Sequence, residues 1–304
     1  VPRRTEIADW SGDMEDEDLI EREDMVVTVT SGGYIKRTPL ADYRSQRRGG
    51  KGLAGMQTKE EDVVTTLFVA NTHTQLLFFP PDGMAYKLKT WRLPQGGRTA
   101  KGKAIVNILP IPTGVSIAAI MPVDRPEEEW DDLQIVFATS AGDVRRNALS
   151  DFTNVKRNGK IAMKLPEAVE LVNARIASED DDMMLVTDSG RAIRFPTTDV
   201  RVFKGRDSTG VRGIRLNDGD RVVSMSVIKH FEASPEDRAA YLKMRRAVAG
   251  LTDEDAGEDE EVAASDSFSQ EKYAAMSAAE NLILTITAKG MGKLSSSHDY
   301  PVRG

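Results

Sequence analysis

Apolar residues recur two positions apart along this chain, in short runs that stop at glycine. Aligning Gly33, Gly83, Gly142, Gly190 and Gly290 brings five such runs into phase. Six positions before each glycine stand Val27, Leu77, Val136, Met184 and Leu284. Four before stand Val29, Phe79, Ala138, Val186 and Ile286. A spacing of two puts both columns on one face of a strand. Three before stand Thr30, Pro80, Thr139, Thr187 and Thr287, so each glycine is predicted to punctuate a hairpin turn that wants positive φ or tight packing.

Each repeat then closes with a second β-rich run: VVTTLFV from Val63, VSIAAIM from Val115, VELVNARI from Val169 and RVVSMSV from Arg221. The glycine-to-glycine steps are 50, 59, 48 and 100 residues. The step of 59 holds an insert around PEEEWDD (126–132), and the step of 100 holds one ordinary repeat plus about fifty further residues. Four short strands in about 48 residues is the length of a propeller blade. The expectation is an all-β, propeller-like fold of four-stranded blades at about 24–72, 73–123, 133–178 and 182–229, with a partial blade at 281–304. Regular strands with glycine turns could also build two sandwiches, but two apolar columns in phase over five repeats favour the blades.

The segments outside the repeats differ in composition. Residues 234–250, SPEDRAAYLKMRRAVAG, predict a helix capped by Ser234, with Pro235 at its first position, Asp237 completing a capping-box pattern and Gly250 ending it. The following LTDEDAGEDEEVAASDSFSQE reads as a polar, mobile acidic run, so 230–280 forms a partly helical acidic insertion. It is either a tolerated insertion between blades or an acidic competitor that shields a basic surface. Residues 1–23 read as an acidic linker.

Charge changes the picture. The net charge of −7 is an average over unlike parts. Residues 1–23 carry 3 basic and 9 acidic residues, and 230–280 carry 5 and 13, which leaves 33 basic against 26 acidic elsewhere. A mildly basic body of this kind can bind polyanions, because local charge decides such contacts. The charge also repeats. Four positions past the glycines stand Arg37, Lys87, Arg146, Arg194 and Leu294, and three past stand Lys36, Tyr86, Arg145, Ile193 and Lys293. These cations could alternatively be edge charges that block strand aggregation.

Catalytic chemistry finds no foothold. There is no cysteine, which excludes disulfides and thiolate sites. His73, His230 and His298 lie far apart and form no HExxH pattern. No triad or nucleotide-binding loop is present, and no apolar run reaches the roughly 18 residues of a membrane span. Tyr34, Tyr43 and Tyr86 fall in blade strands or adjoining loops and receive no catalytic role.

One stretch stands apart: QRRGGKG, residues 46–52. A phosphate-binding P-loop would need GxxxxGK[ST], but Leu53 and Ala54 follow. A generic basic patch needs no glycines. A nucleic-acid contact loop fits better. Arg47, Arg48 and Lys51 can neutralise phosphates, while Gly49, Gly50 and Gly52 let backbone N–H groups approach beside Gln46.

The run GGYIKRTPLADYRSQRRGGKG, followed by the blade pattern, resembles the C-terminal domain of the gyrase A protein of bacterial DNA gyrase, which is a type IIA topoisomerase. QRRGGKG matches that family's gyrase A box at every position. The equivalent stretches GGRTAKG (96–102), KRNGK (156–160), KGRDSTG (204–210) and PVRG (301–304) are weaker versions. The resemblance covers essentially the whole chain, and VPRRTEI resembles the junction with an upstream catalytic portion, so the chain reads as an excised fragment. It implies a β-pinwheel, a propeller-like disc whose blades exchange strands and whose basic rim wraps duplex DNA. Candidate rim residues are Lys36, Arg37, Lys87, Lys89, Arg98, Lys101, Lys103, Arg145, Arg146, Arg191, Arg194 and Lys293, beside the box.

It further implies a role within an ATP-dependent A2B2 enzyme that introduces negative supercoils in the cytoplasm at the nucleoid. Its partners would be gyrase B and the gyrase A core, and its ATP and Mg2+ would act outside this chain. No catalytic residue, metal or cofactor is assigned to the fragment. The topoisomerase IV counterpart, with the same fold and weaker wrapping, and a protein-docking propeller are the alternatives.

Overall fold

The computed structural model describes residues 16–43, 62–205, 208–249 and 268–303. The box at 46–52 lies outside them, as does most of the acidic run.

The strands follow the repeat. The first repeat holds β1 (Asp24–Thr30), β2 (Tyr34–Pro39) and β3 (Val64–Asn71). The second holds β4 (Gln75–Phe79), β5 (Met84–Lys89), β6 (Lys103–Ala104) and β7 (Ala119–Val123). The third holds β8 (Gln134–Thr139), β9 (Asp143–Ala148), β10 (Lys160–Ile161) and β11 (Leu171–Ala177). The fourth holds β12 (Asp181–Thr187), β13 (Ala192–Pro196), β14 (Val211–Arg212) and β15 (Val222–Lys229), and the fifth holds β16 (Leu282–Ile286) and β17 (Gly292–Ser296). Two helices, α1 (Pro235–Ala249) and α2 (Gln270–Ala279), lie between the fourth and fifth.

The aligned glycines behave as the turn argument requires. Gly33, Gly83, Gly142, Gly190 and Gly290 have φ of 76°, 80°, 87°, 84° and 80°. The threonine column now has a cause. Thr30, Thr139, Thr187 and Thr287 each accept, through Oγ1, the N–H of the residue after the glycine, at 3.1–3.2 Å. At the second hairpin, where Pro80 stands, the Asp82 carboxylate accepts the Met84 N–H at 2.9 Å instead.

The described residues divide between two compact units. One draws on 1–78, 86–126 and 156–159, the other on 79–85, 127–155 and 160–304. In the first unit, one sheet runs β3–β1–β2–β6. β2 is thus flanked by its hairpin partner and by β6, a two-residue strand from the following repeat, in the register Tyr34↔Ala104 and Ile35↔Lys103. The β4–β5 hairpin pairs Gln75↔Lys89 through Phe78↔Tyr86. In the second unit, a sheet of order β11–β8–β9–β14 again takes its outer strand from the next repeat, with Val211↔Val144. β10 pairs Lys160↔Ala85 in the same way. Such a transfer of one strand to the preceding repeat is the exchange expected of a pinwheel. The fourth sheet has three strands, β13–β12–β15, and the fifth has two.

The second unit's core includes Val136, Met183, Leu185, Phe195 and Met225. Phe79, Phe137 and Phe152 pack as a ring cluster with centroids 5.5–5.9 Å apart. Trp130, from the stretch read as an insert, is fully buried and anchors PEEEWDD to its unit as a 3-10 turn. The predicted helix at 234–250 appears as α1, with the Asp237 N–H donating to Ser234 Oγ at 3.1 Å. α2 differs from expectation. Its first residues belong to the stretch that reads as a polar acidic run, yet Ser269 caps it by accepting the Lys272 N–H at 3.1 Å.

Candidate nucleic-acid interface

The basic columns are not where a rim would place them. Lys36, Arg145, Arg146 and Arg194 are buried, at 0%, 1%, 5% and 3% exposure. A cation taken out of water needs carbonyl or carboxylate partners, and each of these has polar partners.

In the first unit, Lys36 Nζ donates to Gly97 O at 3.0 Å and to Arg98 O at 2.5 Å. Two residues on, and therefore on the same face of β2, Thr38 Oγ1 donates to Gly96 O at 2.8 Å. Arg37 faces the other way and is half-buried. Its Nε donates to Leu93 O at 2.9 Å, and its own backbone forms a parallel bridge with Gln95. Burial lowers the pKa of both Lys36 and Arg37, against the raising effect of Glu23 on Arg37.

The second unit repeats the arrangement. Arg145 donates from Nη1 to Ser208 O and from Nη2 to Gly205 O, and its guanidinium lies 5.1 Å from the Phe203 ring centroid. Two residues on, Asn147 Nδ2 donates to Phe203 O at 3.1 Å and Gly205 O at 3.0 Å. Arg146 Nη1 donates to Gln134 Oε1 at 3.0 Å, and its backbone bridges Val202. Arg194 makes the fullest set. Its Nε bonds Asp182 Oδ2 at 2.7 Å, Nη1 donates to Ser297 O at 2.7 Å, and Nη2 donates to Lys229 O at 3.0 Å. Asp182, itself 0% exposed, also holds His230 Nδ1 at 2.7 Å.

The assignment of Lys36, Arg145, Arg146 and Arg194 to a solvent rim is therefore corrected. Lys36 and Arg145 spend their charge on carbonyls of the following repeat, Arg194 reaches Ser297 O of the following repeat while pairing with Asp182 of its own, and Arg146 bridges to the next repeat through its backbone, so they clasp one repeat to the next. Arg37 is half-buried in the same role. Lys89 is half-buried too, donating to His73 O at 3.1 Å and pairing with Glu17 at 3.0 Å. Lys87 is half-buried on β5.

Of the remaining candidates three face water and two are half-buried. Lys103, Arg191 and Lys293 are exposed. Lys101 is half-buried with its ammonium 4.3 Å from the Tyr34 ring centroid, and Arg98 is half-buried close to it in sequence. Arg191 Nη1 donates to Asn217 Oδ1 at 3.0 Å. Sequence reasoning passes over Lys156, Arg157, Lys164, Lys204, Arg212 and Arg215, all exposed. The signal is available, since Lys156, Arg157 and Lys204 stand inside the weaker box-like stretches.

In the second, third and fourth repeats Lys103, Lys156, Arg157, Lys204 and Arg212 stand exposed in the box-equivalent loop or the two-residue strand after it, while Arg92, Arg125, Arg175, Arg201, Arg215 and Arg221 are exposed elsewhere. Gly102 and Gly210 end two of these loops with φ of 78° and 96°. A Cβ on Gly102 would stand 2.5 Å from Ile35 O, and one on Gly210 would overlap Val144 O. Only glycine lets the loop close on the preceding hairpin at this distance.

Among the described residues no three His, Cys, Asp or Glu gather as a metal site requires, and no helix is long and apolar enough to cross a membrane. A family model described as DNA gyrase C-terminal domain, beta-propeller, matches residues 24–71, 82–124, 134–178, 181–229 and 281–304. The gyrase A protein of Granulibacter bethesdensis is 48% identical over 100% of this chain and 34% of its own length. Its counterpart in Escherichia coli K12 is 44% identical over 74% of this chain and 25% of its own length. Among solved structures, a C-terminal domain of DNA topoisomerase IV aligns with a TM-score of 0.58 at 26% identity, covering 69% of this chain and 63% of that one. A DNA gyrase A C-terminal domain aligns at 0.54 and 26%, covering 68% and 66%. The chain spans about a third of the length of the curated relatives it matches. With its repeats matched in five segments and its length matched to gyrase A proteins, this chain belongs to the DNA gyrase C-terminal domain family.

Proposed function

We propose that this chain binds duplex DNA through the cations of its box-equivalent loops, and that it bends and chirally wraps the duplex for a gyrase. The observation that carries the reading is the recurrence of Arg98, Lys101 and Lys103, then Lys156 and Arg157, then Lys204 and Arg212, in the box-equivalent stretch of successive repeats or the short strand after it. Duplex DNA carries one charge per about 1.7 Å of axis, so regularly repeated cations suit a phosphate path. Bending 20–30 bp costs on the order of 1–6 kcal/mol, which ion pairing and counterion release must offset. The box, Gln46–Arg47–Arg48–Gly49–Gly50–Lys51–Gly52, is the first repeat's version of this loop and holds the end of the wrap.

The chain contributes binding and curvature, not strand cleavage. In the holoenzyme it presents a DNA segment to the gyrase A core, with gyrase B and its ATP and Mg2+ driving negative supercoiling in the cytoplasm. The complete box and the 43–48% identity to gyrase A proteins favour this over a topoisomerase IV partner.

Duplex affinity measured against salt tests the reading. If roughly eight cations meet phosphate, log K falls against log salt with a slope near −7. Lys103→Glu, Arg157→Glu and Lys204→Glu each weaken binding alike on unrelated sequences. A flat salt dependence, or loss confined to one sequence, would point to a protein-docking surface or to base readout instead.

A further inference from the structure

The clasp residues bear on that same surface. We propose that Lys36 is a positioning residue: its buried ammonium turns the carbonyls of Gly97 and Arg98 inward and so sets the loop that displays Arg98, Lys101 and Lys103 for phosphate contact. The inference rests on duplex DNA being the ligand of that loop.

Lys36 is fully buried and supplies donors to two carbonyls of one loop, while Thr38 supplies a third. A glycine-rich stretch has few side chains to fix its path, so these donors help to specify it, beside the Lys101–Tyr34 contact and the bonds from Gly96 N–H to Arg37 O and from Ala100 N–H to Gly97 O. Arg145 and Asn147 do the same for Gly205 and Ser208. The pairs occupy identical columns, three and five past the repeat glycine, on one strand face. In the second and fourth repeats those columns hold Tyr86 with Leu88 and Ile193 with Phe195, so the polar pair is a feature of particular repeats and not of the strand. Lys36 itself cannot reach phosphate from its buried position, and a residue without donors there would take that partner from Arg98 O and leave Gly97 O with the Ala100 N–H.

Lys36→Met, measured in the chain as it stands, separates positioning from charge. One phosphate contact accounts for a slope change of about 0.9, and the three loop cations together for about 2.7. Positioning predicts that Lys36→Met moves the slope well beyond 0.9 toward 2.7. It also predicts no further loss when the substitution is added to the Arg98→Ser, Lys101→Ser, Lys103→Ser triple variant. Lys36→Arg, which keeps donors, restores most of the affinity. A change of about 0.9 or less, additive with the triple variant, overturns the proposal.

Should the triple variant bind DNA as the parent does, the DNA reading of this loop fails, and the clasp is judged by amide exchange. Exchange at 96–103 that is about tenfold faster in Lys36→Met, with β1 and β3 unchanged, upholds it. Unchanged exchange overturns it. Lys36→Gln, which keeps an amide donor, serves the same comparison if the methionine variant does not fold.

Discussion

At the scale of single residues, the buried cations and the turn glycines carry different risks from the exposed loop charges. Arg194 is held by Asp182, Ser297 O and Lys229 O with almost no exposure, so Arg194→Ala leaves the buried Asp182 carboxylate with His230 alone and takes donors from Ser297 O and Lys229 O. Breaking such a pair costs about 3–5 kcal/mol, readable as a shifted denaturation midpoint. Gly210→Ala forces a β-carbon onto Val144 O at φ 96° and is expected to cost at least about 1–2 kcal/mol. Lys103→Glu, on an exposed side chain, changes stability by no more than about 0.5 kcal/mol while weakening DNA binding. The glycine and threonine columns are legible in the sequence because a positive φ and a turn hydroxyl depend on neighbours within four residues. The fate of Lys36, Arg145, Arg146 and Arg194 is not. Most of their partners are carbonyls some sixty to a hundred residues away, and a carbonyl has no letter in the sequence.

At the scale of elements, the helical pair is fastened to the fifth repeat by groups that titrate. His298 is buried beneath α1 and α2. Its Nε2 bonds Met276 O at 2.9 Å, and its ring meets Tyr241 edge-on at 4.9 Å. Burial chiefly lowers its pKa; the bond to Met276 O, Glu280 and Asp299 oppose this, and Arg194 adds to it. A histidine depressed in the folded state contributes stability that is present above its unfolded pKa, about 6.5, and lost as pH falls through the folded value. Acidification from pH 8 to 5 should therefore loosen α1 and α2, seen as faster amide exchange or a tyrosine near-UV change. A pH-independent signal would contradict this. Lys272–Asp237 at 2.6 Å and Arg245–Glu280 at 2.7 Å tie the two helices at their sides. α1 is readable from Ser234, Pro235 and its length. α2, QEKYAAMSAA, has no apolar stripe and buries Met276, so only its cap at Ser269 could mark it. The two-residue strands β6, β10 and β14 are equally hidden, since a strand that short has no periodicity and exists only because a neighbouring repeat offers an edge.

At the scale of the whole molecule, the repeat and the all-β class are in the sequence because they rest on columns that recur five times, and the family is there because the single box QRRGGKG stands beside them. The proposed site is half legible. The strongly basic box and its weaker equivalents point to the loops of the proposed site, while Lys36, Arg145, Arg146 and Arg194 in the hairpin columns suggest a rim and are buried instead. The net charge of −7 conceals a body with excess cations, so the chain's affinity for DNA should rise steeply as salt is lowered. The most direct test of chiral wrapping is a linking-number assay. The chain is incubated with nicked circular plasmid, the nick is sealed with ligase, the protein is stripped, and the topoisomers are resolved. A positive shift that is lost when QRRGGKG is replaced by alanines is expected. Tight binding with an unshifted distribution would contradict it.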